Sequence, residues 1–404
     1  MMPRKILAIG DLANNFVILR KYIKNYDIHV INFPWDTASK LTESKDVEFF
    51  NSLKIKEQIK KIYEIKDNYD FAIVNTWAGA RLAYLTGLDY IFYFVGSALR
   101  VPPFIKNPRL DYLQRSLPSL NLFERRFYKK IFDNSIFCVA NASDLFELLK
   151  KYRTHRISQI GIPVDTEMFN ENVLPLNRGK KKFTFVSPQR IGLAKGIDII
   201  WKAIELTRTN FEVLQVEWFL GQRTGEEKNI NKKLIENLPK KVKLIPVLKR
   251  EEIPNLYSYA DGVIGQMKNG LGAAIEREAA FCHKPVIQFA DPEIKFKIND
   301  KIEISSPFLP HSNDPQVLAD LIDKIVESEE FRKDLAVREL EFVKQIADPH
   351  KISHEWEKLF DNYMGNIHEK QIISSKEIRN RQNNFFIINR LYLSKIKKKI
   401  TRNE

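Results

Sequence analysis

The sequence predicts two open α/β domains, each a parallel sheet with helices on both faces, set across a cleft and followed by C-terminal helices and a basic tail. Three observations carry this expectation. Short apolar runs alternate with helical patterns along both halves of the chain. The alternation lapses between Asp165 and Lys182, where Asn170, Asn172, Pro175, Asn177 and Gly179 with three lysines make a linker. The 404 residues also suffice for two domains of ordinary size.

In the first half, Lys5–Ile9, Ile28–Asn32, Ala72–Asn75, Tyr90–Val95 and Ile136–Ala140 read as strands. Their apolar residues are continuous and not alternating, the pattern of strands buried on both faces of a parallel sheet. Helical stretches separate them, such as Phe16–Tyr26 and Asp144–Tyr152, the latter with Asn141 or Ser143 as candidate cap. The second half opens with strand Phe183–Ser187, helix Ile197–Thr207, strand Val213–Leu220, helix Glu226–Asn237 and strand Val242–Pro246. Helix Ile253–Tyr259, strand Gly262–Gly265, helix Ala273–Cys282 and strand Pro285–Phe289 follow. Pro315–Glu329, Phe331–Ala347 and Ile352–Tyr363 then read as helices that can pack back on the first domain. The resulting boundaries are 1–165 for the first domain, 166–182 for the linker, 183–347 for the second domain, 348–368 for a returning helix and 369–404 for the tail. Open α/β sheets place ligand sites at the carboxyl ends of their strands.

A composition 44% hydrophobic and 29% charged is that of a folded globular protein. Cys138 and Cys282 lie in apolar segments without metal-ligand spacing, which points to a reducing compartment and away from a disulfide framework. The first eleven residues read as a strand and not as a signal peptide, and the longest apolar run, around Tyr90 to Val95, falls short of a spanning helix. A cytoplasmic protein is expected. Of the net charge of +14, +7 lies in residues 369–404, with ten Lys and Arg against three Glu. This confines the basicity to a tail and argues against a general nucleic-acid-binding surface. Phe385, Ile388, Tyr392, Ile396 and Ile400 recur at helical spacing in that tail. It can lie on anionic lipid, remain solvated, or dock on the body of the protein.

The residues with chemistry cluster in the second half. Arg190 and Lys195 follow the first strand of that half, with Gly192 and Gly196 allowing close backbone approach. Two cations there can bind a diphosphate and stabilise the charge that develops as it leaves, or can be surface charges before a helix. Gly270, Leu271 and Gly272 mark the start of a helix at Ala273, whose free amides form an anion site. Glu278, further along that helix, can accept hydrogen bonds from ribose hydroxyls. Glu276 and Glu278 are two apart and do not share a helix face. The other reading of both is a solvated charge paired with Arg277 or Lys284. In the first half, Asn75, Trp77 and Arg81 stand at the carboxyl end of a strand, where an acceptor can bind or a helix start be capped. His350 and His354 have i, i+4 spacing but no third ligand, so no metal site is expected. The absence of an Asp-x-Asp pair argues against a metal-bound donor.

With these residues in place, the second half resembles the donor domain of family 4 retaining glycosyltransferases of GT-B fold. The resemblance rests on Phe185-Val186-Ser187-Pro188-Gln189-Arg190, Lys195-Gly196, Phe219-Leu220-Gly221, Val242 with Ile245-Pro246, Tyr259-Ala260-Asp261, and Glu278-Ala279 with Pro285-Val286-Ile287. Upstream, Gly161 to Phe169 resembles the stretch entering the interdomain linker, and Gly96-Ser97-Ala98-Leu99-Arg100 resembles an acceptor-domain motif with Ala98 in place of Asp. The resemblance spans roughly residues 5 to 365. It implies metal-independent transfer of a sugar from a nucleotide donor to a glycan or lipid-linked acceptor, with retention of configuration. By the same resemblance Arg190 and Lys195 hold the diphosphate and Glu278 the ribose, and the helix start at Gly270–Ala274 faces diphosphate and sugar. Gln266 resembles a subgroup in which Gln precedes the Gly-rich turn. The acceptor-side candidates are then Gly10, Gly96, Ser97 and Arg100, together with Asn75 and Trp77 from their place after a strand.

Three positions depart from the pattern. Gly270 stands where the family has the first Glu of its paired motif, Val95 replaces a common His, and the loop Gly10–Asn14 holds one Gly where many members have two. Two other functions share the architecture, a catalytically silent nucleotide-sugar-binding protein and a sugar-nucleotide epimerase. The epimerase needs acid/base residues that the sequence does not place.

Overall fold

The structure is a computed structural model that describes residues 3–34, 47–96, 99–100, 104, 109–110, 115–116, 120–177, 179, 182–219, 225–268, 270–299, 302–365 and 373–400. It divides into two compact units. One comprises Met1–Arg109, Ser116–Ile160 and Ser353–Glu404; the other comprises Leu110–Arg115 and Gly161–Ile352.

The first unit is built on strands β1 (Arg4–Ile9), β2 (Tyr26–Asn32), β3 (Glu48–Phe49), β4 (Phe71–Val74) and β5 (Tyr90–Phe94), with α1 (Asn15–Tyr22), α2 (Ile55–Ile65) and α3 (Trp77–Thr86) between them. A short pair, β6 (Arg109–Leu110) and β7 (Arg115–Ser116), precedes α4 (Leu122–Asp133), β8 (Phe137–Ala140), α5 (Ser143–Lys150) and β9 (Ile157–Gln159). The sheet runs β3-β2-β1-β4-β5-β8-β9 with every pairing parallel. The central strands are buried on both faces, as their continuous apolar sequences require. Leu7, Ile9, Val74, Phe92 and Phe94 pack with residues of α2, α3 and α4 in one core cluster.

The second unit holds β10 (Phe183–Ser187), α6 (Ile197–Leu206), β11 (Phe211–Val216), α7 (Gly225–Glu236), β12 (Val242–Ile245), α8 (Ile253–Tyr259), β13 (Gly262–Ile264), α9 (Ala274–Phe281) and β14 (Val286–Ile287). A hairpin, β15 (Lys295–Asn299) and β16 (Ile302–Ser305), and helices α10 (Pro315–Glu327) and α11 (Glu329–Ala347) follow. The sheet order β12-β11-β10-β13-β14 is parallel throughout. Side chains alternate across it: Phe185 packs with residues of α6 and α10, while Val186 packs with residues of α8, α9 and α11. In both sheets the chain starts at an inner strand, winds to one edge and then reverses. The reversal lies between β1 and β4 in the first sheet and between β10 and β13 in the second.

The chain returns to the first unit through α12 (Pro349–Gly365). Trp356 packs edge-on against Tyr93 at 5.1 Å, and Phe360 packs on Tyr26 and Phe71 at 5.0 and 5.3 Å. The last helix, α13 (Ser375–Ile400), docks on α3 and α4. Arg381 lies over the Tyr84 ring at 4.3 Å and donates to the Tyr84 carbonyl, while Phe385 stacks on Phe127 at 5.5 Å. Gly87 makes room for this contact: a β-carbon there would meet Ile378 Cδ1 at 2.8 Å. Of the three readings of the tail, its described side chains follow the docked one.

Several local expectations shift. Ser143 is the first residue of α5 and Ala142 occupies the cap position without a side-chain bond, so neither Asn141 nor Ser143 caps that helix. The helix expected at Phe16–Tyr26 ends at Tyr22 because Tyr26 already pairs with Arg4 in the sheet. The strand expected at Val213–Leu220 stops at Val216, where the Trp218 amide turns back to the Val216 carbonyl at 2.9 Å.

Candidate active site

The residues singled out in the second half converge on the reversal point of the second sheet. β10 delivers Gln189 and Arg190, and a single turn of Leu193–Lys195 leads into α6. Beside it β13 delivers Gln266, and Gly270, Leu271, Gly272 and Ala273 lead into α9. The two loops are tied together, since the Met267 amide donates to the Lys195 carbonyl at 2.9 Å. Gly196, at φ 75°, packs so closely on Met267 that a β-carbon would come within 2.8 Å of Met267 Cβ. Its glycine is therefore required twice, by conformation and by approach.

Two helices thus begin at the same edge of one sheet, α6 after Gly196 and α9 after Ala273; in neither does a side chain of the preceding residue cap the first helical amides, and at α9 the Ala273 amide is bonded by Glu276. Both starts carry partial positive charge. Arg190 and Lys195 are half-buried beside them. Burial pushes the Lys195 ammonium below the usual lysine range; the Glu276 charge opposes that shift and the Arg190 charge adds to it.

Glu276 and Glu278 are both buried, contrary to the solvated reading. Glu276 Oε1 accepts from Gln189 Nε2 at 2.8 Å and from the Gln266 amide at 3.0 Å, while Oε2 accepts from the Ala273 amide at 2.8 Å. One carboxylate thereby fixes the ends of β10 and β13 and the start of α9. Glu278 pairs with Arg250, whose Nη1 and Nη2 reach Oε2 at 2.9 Å and Oε1 at 2.5 Å. The Arg250 guanidinium also lies over the Phe169 ring at 4.6 Å. The pair is bidentate and mostly desolvated, the geometry in which Arg holds a carboxylate most strongly.

Three further residues of this edge were not anticipated. Gln288 is fully buried below Gly272, which at φ 72° brings backbone over it; neither amide atom of Gln288 has a hydrogen-bond partner in the protein. Asp291 stands against Gly270, its amide donating to the Gly270 carbonyl at 3.3 Å. A β-carbon on Gly270 would come within 2.3 Å of Asp291 Cβ. Arg250 is the third. Spacing could not reveal it, because its partner lies on a different helix.

In the first unit, Gly10 (φ 75°) and Asn75 meet at the corresponding reversal point. The Leu12 amide donates to Asn75 Oδ1 at 3.1 Å, and the Asp11 amide to Asn32 Oδ1 at 2.8 Å. Asp11 is fully buried, and its Oδ2 accepts from the Phe16 and Val17 amides at 3.0 Å each. The first helical amides of α1 are therefore already taken by a carboxylate of the chain itself, whereas at α9 the Glu276 carboxylate takes only the Ala273 amide and at α6 no side chain caps the start. Trp77 packs edge-on against Phe92 at 4.9 Å and Tyr128 at 5.6 Å, while Thr76 caps α3. Gly96 (φ 59°) has open space where a β-carbon would project. Its carbonyl accepts from Arg100 Nη1 at 3.0 Å, and Arg100 also pairs with Asp144. Ser97 lies outside the described residues.

Solved structures of low sequence identity share this architecture. The Anabaena protein HepE, in complex with UDP and glucose, matches with a TM-score of 0.66 at 16% identity, over 89% of this chain and 100% of that one. A glycosyltransferase from Rickettsia africae matches with a TM-score of 0.62 at 18% identity, over 91% and 100%. Sucrose-phosphate synthase from Thermosynechococcus elongatus matches with a TM-score of 0.62 at 15% identity, over 90% and 99%. The chain has the GT-B fold. Residues 169–339, which contain the whole reversal-point site of the second unit, match the family model of glycosyl transferases group 1. No curated protein sequence matches the chain. Among the described residues no helix is long and apolar enough to cross a membrane.

Proposed function

We propose that the chain is a retaining glycosyltransferase of family 4, moving a hexosyl group from a nucleotide-sugar to a glycan or lipid-linked acceptor. One observation carries the reading: two helix starts whose first helical amides have no side-chain cap, and two cations, Arg190 and Lys195, share the reversal point of the second sheet. Such an edge suits a diphosphate. The group 1 glycosyl transferase match to residues 169–339 supports it, as do neighbours of the same fold solved with UDP or UDP-glucose.

In this reading the donor diphosphate lies against Arg190, Lys195, Gln266 and the turn from Gly270 to Ala273. The cations neutralise the charge that grows as the bond from sugar to diphosphate breaks, which makes an obligatory metal unnecessary. Glu278 holds the ribose while bound to Arg250, since each carboxylate oxygen keeps a lone pair for a hydroxyl donor. Asp291 supplies the carboxylate toward the sugar that Gly270 lacks. The first unit handles the acceptor around Gly10, Gly96, Ser97 and Arg100, with Asn75 and Trp77 shaping the surface behind them. The enzyme works in the cytoplasm, at the inner face of a membrane.

A panel of nucleotide-sugars, assayed for nucleoside diphosphate release in the presence and absence of EDTA, tests this directly. Release with one donor, unaffected by EDTA, and a product of retained configuration by NMR are expected. Conversion of the donor to its epimer would overturn the transferase reading. Tight binding of a donor without turnover would favour a silent binding protein, the reading that the missing side chain at Gly270 supports.

A further inference from the structure

The first unit carries a groove that the proposed reaction does not use. It has a volume of about 460 Å³ and is lined by residues of α2 and α13. Ile59, Ile378 and Phe386 supply apolar lining, and Lys56, Lys60 and Arg379 supply charge. Among the described residues no carboxylate lines it. Lys56 lies over the Phe386 ring at 5.4 Å. Neither Lys56 nor Arg379 has an acidic partner among the described residues, and Lys60 meets only the exposed Glu64 at 3.7 Å. A surface pair of that kind holds its lysine weakly and leaves it available.

Two features set the character of what fits. Tyr63, also in the lining, is 43% exposed, and Ile387, on α13 outside the lining, is 56% exposed. An aromatic ring therefore stands partly in solvent beside cations that no buried carboxylate holds. In sequence, residues 378–400 of α13 hold seven Arg and Lys and no Asp or Glu, with Arg381 turned inward onto Tyr84 and Glu377. Charge of one sign beside exposed apolar groups is complementary to the headgroup layer of an anionic bilayer. A free phosphate would leave the apolar lining unused, and a nucleic acid would find a single exposed ring and no stacking platform.

We propose that the α2–α13 groove binds the phosphate of an anionic phospholipid at a membrane surface. Lys56, Lys60 and Arg379 take the phosphate, and Ile59, Ile378 and Phe386 take the glycerol and first methylenes. The proposal does not depend on the donor assignment and can fail without it. The test is co-sedimentation of the full chain with phosphatidylcholine vesicles, with and without phosphatidylglycerol. Binding only to the anionic vesicles, weakening as salt rises, is expected. The triple variant Lys56→Gln, Lys60→Gln, Arg379→Gln changes only exposed side chains and should keep the thermal midpoint. It should lower partitioning on the order of 100-fold, from three lost cations. Equal binding to both vesicle types would overturn the proposal. So would undiminished binding by the triple variant when Lys395, Lys397, Lys398 and Lys399 to Gln abolishes it, or binding to a single-stranded RNA oligonucleotide with none to vesicles.

Discussion

Gly270 and Asp291 occupy one space: a β-carbon on the first would stand 2.3 Å from the β-carbon of the second. Gly270 does not need its glycine for conformation, because its φ lies outside the left-handed region. What excludes a side chain is the neighbour. Gly270→Glu alone should therefore lower the thermal midpoint and abolish transfer. Adding Asp291→Gly should recover only part of the midpoint, because the Asp291 backbone nitrogen and Cα would still lie 2.7 and 3.0 Å from the new β-carbon. Asp291→Asn in an otherwise unchanged chain should lower kcat on the order of 100-fold with little effect on the midpoint. A double variant no more stable than Gly270→Glu would show that the Asp291 side chain contributes nothing to the exclusion.

Arg190→Ala and Lys195→Ala should each reduce transfer by on the order of 100- to 1000-fold while the far-ultraviolet dichroism stays unchanged. Lys195 adds a pH signature. Its ammonium titrates below the usual lysine range because burial disfavours the charge. If the protonated form serves the reaction, kcat/KM of the free enzyme falls as pH rises through that lowered pKa. Lys195→Arg keeps the cation at every accessible pH and should move the alkaline limb upward. A limb that stays in place would assign it to another group.

The buried bidentate pair of Arg250 and Glu278 makes a stability prediction. Removing Arg250 leaves a carboxylate that is 4% exposed without its cation. Arg250→Ala should cost about 3–5 kcal/mol, because the loss is the desolvated charge left behind and not the pair itself. The double variant Arg250→Ala, Glu278→Ala should be more stable than Arg250→Ala alone. A denaturant-monitored double-mutant cycle measures this, and simple additivity would show that the two do not interact.

Glu339 of α11 is fully buried, and its Oε2 accepts from the Val286 amide at 2.8 Å. Burial drives its pKa well above the ordinary glutamate value, against the smaller pull of that amide and of Arg338. A raised folded pKa means the native state holds a proton that the unfolded chain gives up. The associated stability is complete below about pH 4.3 and is lost as pH rises through the folded pKa. Glu339→Gln keeps the shape and removes the titration. Its midpoint relative to the parent should climb between pH 5 and pH 8, and a constant difference would contradict the buried proton.

Much of this was legible in the sequence, for identifiable reasons. Strands such as Tyr90–Phe94 and Phe183–Ser187 are buried on both faces and leave continuous apolar runs. The hairpin of Lys295–Asn299 and Ile302–Ser305 was not foreseen, although Phe296, Ile298, Ile302 and Ile304 alternate as an antiparallel pair does. The cations Arg190 and Lys195 announced themselves by type and by the glycines around them. Gln189 and Gln288 did not, since a polar residue after a strand reads as loop whether it faces water or is sealed in, and Gln266 came only through the family resemblance. The pairing of Arg250 with Glu278 spans two helices, and only the tertiary fold brings them together. The tail periodicity showed an apolar face at Phe385 but could not name Phe127 as its cover.

The docking of α13 on α3 and α4 has a bearing on how the protein is made. The second unit is almost one unbroken stretch, Gly161–Ile352, and can close its core while the chain is still emerging. The first unit cannot. Its sheet is synthesised first, but Tyr84 and Phe127 wait for Arg381 and Phe385 from the far end of the chain. The half begun first is the half completed last. A ribosome stalled short of Phe385 would release a molecule with one finished domain and one open face, the state in which chaperones and proteases compete for a nascent protein.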